Sequence, residues 1–209
     1  MNRIDVKTRK LLGWILCAVA LAAFPAQRAA AFVIDVYALP AGPFTLAGAD
    51  AAIAAGPVIA SGTASVIELD DLGDLTRGLF SLDSPWPSGT PANFFAAHVT
   101  GTIATGAGTF TFGLNHDDGA RLLIDGIVVA LADGLVDNRT TTGTIALTSG
   151  LHAVDIVFFE GAGGASLEFF ERTASGADIL VSSVPEPATL ALLGVALAGL
   201  GFSRRHRMR

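Results

Sequence analysis

The sequence predicts an all-β protein, an antiparallel β-sandwich or barrel, followed by a C-terminal hydrophobic helix. Apolar and polar residues alternate over several short segments, which is the period of a half-buried strand. Polar or glycine-rich turns separate these segments at intervals of roughly ten residues. Helical periods are scarce between the two ends of the 209-residue chain. The part between the ends, roughly 150 residues, is long enough for one good core.

The first 31 residues have the organisation of a signal peptide. Basic residues occupy positions 1–10, an uncharged apolar run covers Leu11 to Phe24, and small residues at 29–31 offer a cleavage site. An uncleaved N-terminal anchor is the less favoured alternative, because the apolar run is short for a membrane span. The one cysteine, Cys17, lies inside this run, so the remainder of the sequence contains no disulfide. We expect an exported domain over residues 32–183.

The C-terminal 26 residues, 184–209, have three parts. The motif Pro185-Glu186-Pro187 comes first, then the uncharged segment Ala188 to Phe202, and then a tail with four arginines. This order resembles the PEP-CTERM sorting signal, which implies cleavage by an exosortase-type enzyme. The apolar segment has 15 residues. As a helix it would measure roughly 22 Å, short of the roughly 30 Å of membrane hydrocarbon. We expect this transmembrane helix to anchor the protein in the membrane only before processing; a permanent anchor is the alternative.

The predicted domain is strongly acidic. Nine of the 13 basic residues lie in the two ends, which leaves four arginines against 17 acidic residues and a net charge near −13. Such a charge argues against binding of nucleic acid or anionic lipid by the domain. It suits cation binding and solubility outside the cell.

Strand patterns run through the whole domain. They are Phe32–Leu39, Thr63–Leu69, Phe94–Ile103, Thr109–Asn115, Arg121–Ile124, Ile127–Val129, Thr141–Thr148, His152–Phe159 and Leu167–Phe170. Asp125-Gly126 joins two of them, and this pair is typical of a hairpin with a primed turn, which requires positive φ. Ala49–Ala55 is alanine-rich and predicts a short helix.

The segments between the strands are expected to be irregular. We interpret Asp70–Asp74 as a solvated acidic loop and Leu79–Pro91 as irregular chain. Trp86 is expected to cap the edge of the sandwich rather than stack on a sugar. Thr173–Ser183 is interpreted as a tether to the sorting signal.

Four segments in order resemble the protective-antigen (PA14) domain: the Asp117-Asp118-Gly119 turn, the Ile124-Asp125-Gly126 turn, the LTSGLH segment and the FFE segment. The resemblance covers Phe94 to Phe170. It implies a β-sandwich often attached to carbohydrate-active enzymes and adhesins. In some sugar-binding members of that family, two adjacent aspartates joined by a cis peptide hold a calcium ion that contacts glycan hydroxyls.

Asp117 and Asp118 match those two aspartates and are the candidate metal ligands. Calcium prefers several oxygen ligands, so two carboxylates alone do not complete its shell. The polar loop with Asp133, Asp137 and Asn138 is the candidate source of the remaining calcium ligands, on the basis of its charge and position only. An acidic turn that only packs and hydrogen-bonds locally remains the alternative. The histidines lack the ligand spacing of a zinc site and are interpreted as core or surface residues.

The sequence predicts a non-enzymatic protein. It contains no GxSxG elbow, no HExxH motif and no cysteine in the predicted domain. Two functions remain: a carbohydrate-binding surface or matrix protein of adhesin type that takes polysaccharide or glycan, with calcium as a possible cofactor, or a structural matrix protein without a sugar site. Both place the protein outside the cell after sorting.

Overall fold

A computed structural model of the protein describes residues 31–42, 44–71, 78–82 and 84–184, all within one compact unit over residues 29–187. Nearly all of the expected signal peptide and of the expected sorting signal lies outside the described residues. Within those residues, no helix has both the length and the apolar content needed to cross a membrane.

Twelve strands and one helix form over the described residues. The strands are β1 Phe32–Ala38, β2 Val58–Ala64, β3 Glu68–Asp70, β4 Ser84–Pro85, β5 Phe95–Thr105, β6 Gly108–Asp117, β7 Ala120–Ile124, β8 Ile127–Ala132, β9 Arg139–Leu147, β10 Gly150–Glu160, β11 Ser166–Arg172 and β12 Asp178–Leu180. The helix, α1, is Leu46–Ala55.

The strands form two sheets, in the orders β2-β1-β5-β10-β7-β8 and β4-β3-β11-β6-β9, and β12 pairs with β11. Every pair between the strands is antiparallel except β3 with β4. The predicted all-β antiparallel architecture is therefore confirmed. The two sheets enclose one large core and α1 covers a smaller one.

Alternation places one face of each central strand in the large core. The buried residues of β10 include Val154, Ile156 and Phe158, as predicted. Those of β5 include Phe95 and Val99. Burial of each such side chain stabilises the fold by roughly 1.5–3 kcal/mol relative to exposure.

Trp86 is a core residue rather than an edge cap. It is buried against Phe95 and Phe158, with ring centroids 5.0 and 5.1 Å away. Its Nε1–H donates to the carbonyl of Ala165 at 3.2 Å, which satisfies the one polar atom of the ring.

The helix begins at Leu46, earlier than the alanine run indicated. Thr45 provides the N-cap, since its hydroxyl accepts a hydrogen bond from the Gly48 amide at 3.1 Å. Asp133 accepts from the Leu46 amide at 2.7 Å and ties the helix start to the loop after β8. Leu46 and Ala49 are buried against the outer face of the first sheet.

Three predictions about connecting segments are wrong. Thr63–Leu69 is not one strand, because β2 belongs to the first sheet and β3 to the second, and the chain crosses between them. Asp70 is not solvated, because it is buried in β3. Thr173–Ser183 is not merely a tether: β12 folds back onto β11, and Arg172 donates to both oxygens of Asp178 at 2.7 and 2.8 Å.

Candidate functional site

The site is built around the end of β6, where the Asp117–Asp118 peptide bond is cis. Both aspartates are nearly inaccessible to solvent, with 6% and 4% of their surfaces exposed. They stand at the point where the chain leaves the second sheet at β6 and enters the first sheet at β7. The turn is therefore fixed between the two layers of the sandwich.

Asp118 joins two loops. Its Oδ1 accepts a hydrogen bond from the Val136 amide at 3.0 Å, and its Oδ2 accepts one from the Gly161 amide at 2.9 Å. Val136 belongs to the loop after β8, and Gly161 begins the glycine-rich turn after β10. Hydrogen bonds to a charged acceptor are among the stronger ones in proteins. One carboxylate thus determines where both loops lie relative to the aspartate turn.

Glu160 completes a group of three buried carboxylates. Oxygen atoms of Asp117, Asp118 and Glu160 all lie within 4.8 Å of one another. Glu160 is the last residue of β10 and is fully inaccessible to solvent. It was not among the candidate ligands identified from the sequence. The available signal was an acidic residue at the end of a long apolar strand, directly before Gly161.

A pocket of about 420 Å³ adjoins the aspartates. Its lining residues are Asp117, Asp118, Leu135, Val136, Asp137, Ala162, Gly163 and Gly164. Of the predicted site residues, Asp117, Asp118 and Asp137 therefore come together. Asn138 follows Asp137 but does not line the pocket. Asp133 does not line it either; its carboxylate accepts hydrogen bonds from the Leu46 and Gly134 amides.

His116 supports the turn from within the core. Its Nδ1 lies within hydrogen-bond distance of the Asp118 carbonyl, and its Nε2 is 2.9 Å from the Thr141 hydroxyl. Burial lowers the pKa of His116, although the hydrogen bond to the Asp118 carbonyl opposes this shift. A neutral ring that donates to the carbonyl and accepts from the hydroxyl satisfies both contacts. The expectation of a core histidine agrees with this position.

A separate buried carboxylate, Glu168, has a different role. Its two oxygens accept hydrogen bonds from the Leu79 and Phe80 amides at 2.7 and 3.0 Å, so it holds segment 78–82 over the second sheet. Burial raises the pKa of Glu168 to about 7, against the effect of these two amides. It takes no part in lining the pocket.

Comparison with protein families identifies the two parts of the chain. The PA14 domain family matches residues 72–175, and the PEP-CTERM protein-sorting motif matches residues 183–205. The chain is a PA14-domain protein with a PEP-CTERM sorting motif. The sorting motif marks the protein for exosortase-dependent export to the cell surface or the extracellular space. A search of curated proteins gives no significant match.

Solved structures share the PA14 fold. The PA14 domain of the MpAFP antifreeze protein superimposes with a TM-score of 0.62 at 20% identity, covering 78% of this chain and 96% of that one. The PA14 sugar-binding domain from an RTX adhesin gives 0.60 at 26% identity, covering 75% and 99%. The epithelial adhesin 6 A domain from Candida glabrata, in complex with Galβ1-3GlcNAc, gives 0.53 at 14% identity, covering 76% and 87%.

Proposed function

We propose that the PA14 domain binds carbohydrate at the pocket beside Asp117 and Asp118, with a calcium ion between the protein and the sugar. The exported protein would then attach to polysaccharide at the cell surface or in the matrix. The observation that carries this proposal is the group of three buried carboxylates beside an open pocket. The sugar-binding domain of the RTX adhesin, 26% identical, supports it by similarity.

The donor set fits calcium. This ion takes six to eight oxygen ligands at roughly 2.3–2.6 Å, and the oxygens of Asp117, Asp118 and Glu160 lie within 4.8 Å of one another. Three buried negative charges are costly unless a positive charge compensates them. Asp137, also in the pocket lining, is the candidate for a further ligand. Asn138 is a weaker candidate, because it stands outside the lining.

The pocket suits binding rather than catalysis. Its lining offers carboxylates, backbone groups and small apolar surfaces, a combination that matches a cation and sugar hydroxyls. We therefore assign the protein a non-enzymatic role. Before processing, its apolar C-terminal segment would hold it in the membrane; after processing, the domain would be free to attach to glycan.

A structural role is the second candidate, and the hydrogen bonds of Asp118 favour it. Both of its carboxylate oxygens already accept from backbone amides, so the acidic turn can serve solely to fix two loops. In that case the protein is a non-binding component of the extracellular matrix. The two candidates differ in whether calcium and glycan bind saturably.

The test replaces Asp117 and Asp118 together by asparagine, with calorimetric calcium titration and a glycan array as readouts. We expect wild type to bind calcium saturably and glycan only in its presence, and the double variant to lose both. The control is Asp35→Asn with Asp155→Asn, which removes the same charge from the outer face of the first sheet, away from the pocket lining. It should bind like wild type.

A single variant separates the ion from the fold. Asp117→Asn leaves both hydrogen bonds of Asp118 in place, so the loops should keep their positions while calcium affinity falls at least tenfold. Equal binding by wild type and the double variant, or no binding by either, would assign the turn a structural role.

A further inference from the structure

Phe94, the residue before β5, has a conformation that its own side chain disfavours. Its φ is 60°, in the left-handed region, and 43% of its surface is exposed. A bulky residue with positive φ is an outlier that persists only when its surroundings enforce it. A ring this exposed buries less apolar surface than a core phenylalanine, so packing offsets its disfavoured backbone only in part.

The backbone around Phe94 is held on both sides. The preceding residue, Asn93, accepts a hydrogen bond through its Oδ1 from the amide of Gly163, which lines the pocket, at 2.9 Å. The Phe94 carbonyl accepts from the Leu39 amide at 2.8 Å. The ring of Phe94 stacks on that of Phe44, with centroids 5.7 Å apart and planes 14° apart. Phe44 in turn packs on the small core under α1.

Gly161 shows how closely the Phe44 ring approaches the Asp118 carboxylate. A Cβ at this position would lie 2.7 Å from Leu135 Cδ2, 3.1 Å from Phe44 Cγ and 3.3 Å from Asp118 Oδ2. An apolar group and a candidate calcium ligand therefore meet around one point. Leu135 also lines the pocket and is largely exposed. We call Phe44, Phe94 and Leu135 the apolar shelf.

We propose that the apolar shelf receives the C–H face of a sugar held at the carboxylate pocket, and that Phe94 supplies the ring on which this face packs. The inference rests on the proposed carbohydrate function and narrows its ligand to glycans with a contiguous apolar face. Pyranose rings that carry several axial C–H bonds on one side, or a methyl group, meet this requirement. Aromatic rings present a rigid apolar surface with little loss of conformational freedom. A ring already fixed by stacking, as Phe94 is on Phe44, loses even less.

Phe94→Asn tests the shelf without straining the fold. Asparagine tolerates positive φ far better than phenylalanine, which offsets the lost stacking on Phe44, so the variant should still fold. We expect its affinity for lactose, Galβ1-3GlcNAc and the strongest-binding glycan of the array to fall roughly tenfold, the scale of one aromatic contact. Its calcium affinity should stay unchanged. Phe94→Tyr, which keeps the ring, should retain wild-type glycan affinity.

The matched control is Leu151→Ala, which removes another exposed apolar side chain at the opposite end of β10 from Glu160. It should bind glycan like wild type. Three outcomes would contradict the proposal. If wild type binds no glycan, the proposed function fails and the shelf with it. If wild type binds and Phe94→Asn binds equally well, only the shelf fails. If Phe94→Asn also loses calcium, Phe94 acts through the pocket's structure and its role as a packing surface for sugar is wrong.

Discussion

Replacing Gly126 by alanine should destabilise the domain through backbone conformation alone. Asp125 and Gly126 form the predicted primed turn between β7 and β8, with φ of 52° and 77°. A Cβ at Gly126 would meet no atom within 4 Å, so steric overlap with neighbours does not contribute. The turn is also fixed in place, since the Asp125 amide donates to the Ala153 carbonyl at 2.9 Å. It therefore has little freedom to change its type.

The expected magnitude follows from two opposing terms. The left-handed conformation costs an L-residue roughly 1–2 kcal/mol relative to glycine. Alanine also reduces the conformational freedom of the unfolded chain, which stabilises the folded state by about 0.4–1 kcal/mol. The free energy of unfolding should therefore fall by about 1 kcal/mol, and by more for Gly126→Val, whose branched side chain tolerates this region less well.

Gly106 provides the control. A Cβ there also meets nothing within 4 Å, but its φ lies outside the left-handed region. Gly106→Ala should be neutral or slightly stabilising. In urea titrations, Gly126→Ala should lower the unfolding midpoint by roughly 0.3–1 M, given slopes of about 1–3 kcal/mol per M. Equal midpoints for the two variants would show that positive φ at the hairpin carries no penalty and that the reasoning is wrong.

Two further predictions concern pH and processing. His152 donates to Asp125 Oδ2 at 2.6 Å and to the Thr148 carbonyl at 3.0 Å, and these acceptors raise its pKa above 6.5. The stabilisation that protonated His152 contributes is fully present below pH 6.5 and is lost as pH rises through the folded-state pKa of His152. The gap in urea midpoint between wild type and Asp125→Asn should thus shrink between about pH 6 and pH 9; a constant gap would contradict the contact. Mass spectrometry of the exported protein should find a start near Phe32 and loss of the chain after about Pro187; a product that retains the C-terminal arginines would contradict sorting by cleavage.

Local patterns were sufficient to predict most of the fold. Alternation marked β5 and β10, and the Asp125-Gly126 pair marked the hairpin with its correct backbone conformation. The prediction of one strand over Thr63–Leu69 failed because a short apolar run does not show where the chain crosses from one sheet to the other. Strand β12 escaped notice for a related reason: it has three residues and depends on pairing with β11.

The candidate site was only partly predictable. Adjacent aspartates in a turn are visible along the chain, so Asp117 and Asp118 stood out. Glu160 belongs to a strand distant in sequence, and only the pairing of β10 with β7 brings its end beside the aspartate turn. Phe94 gave no signal, because positive φ and stacking on Phe44 are properties of the folded chain. Burial of acidic groups was likewise invisible in the composition.

The two hydrogen bonds that Asp118 accepts have a consequence for divergence among copies of this domain. The donors are backbone amides, so the positions of both loops do not depend on which side chains Val136 and its neighbours carry. Substitution at Leu135 or Ala162 changes the surface of the pocket while its anchoring persists. There are two exceptions: proline at position 136 removes one of the donors, and a side chain at Gly161 would place its Cβ 2.7 Å from Leu135 Cδ2. A single invariant carboxylate would thus permit many variants of the pocket rim on one unchanged scaffold.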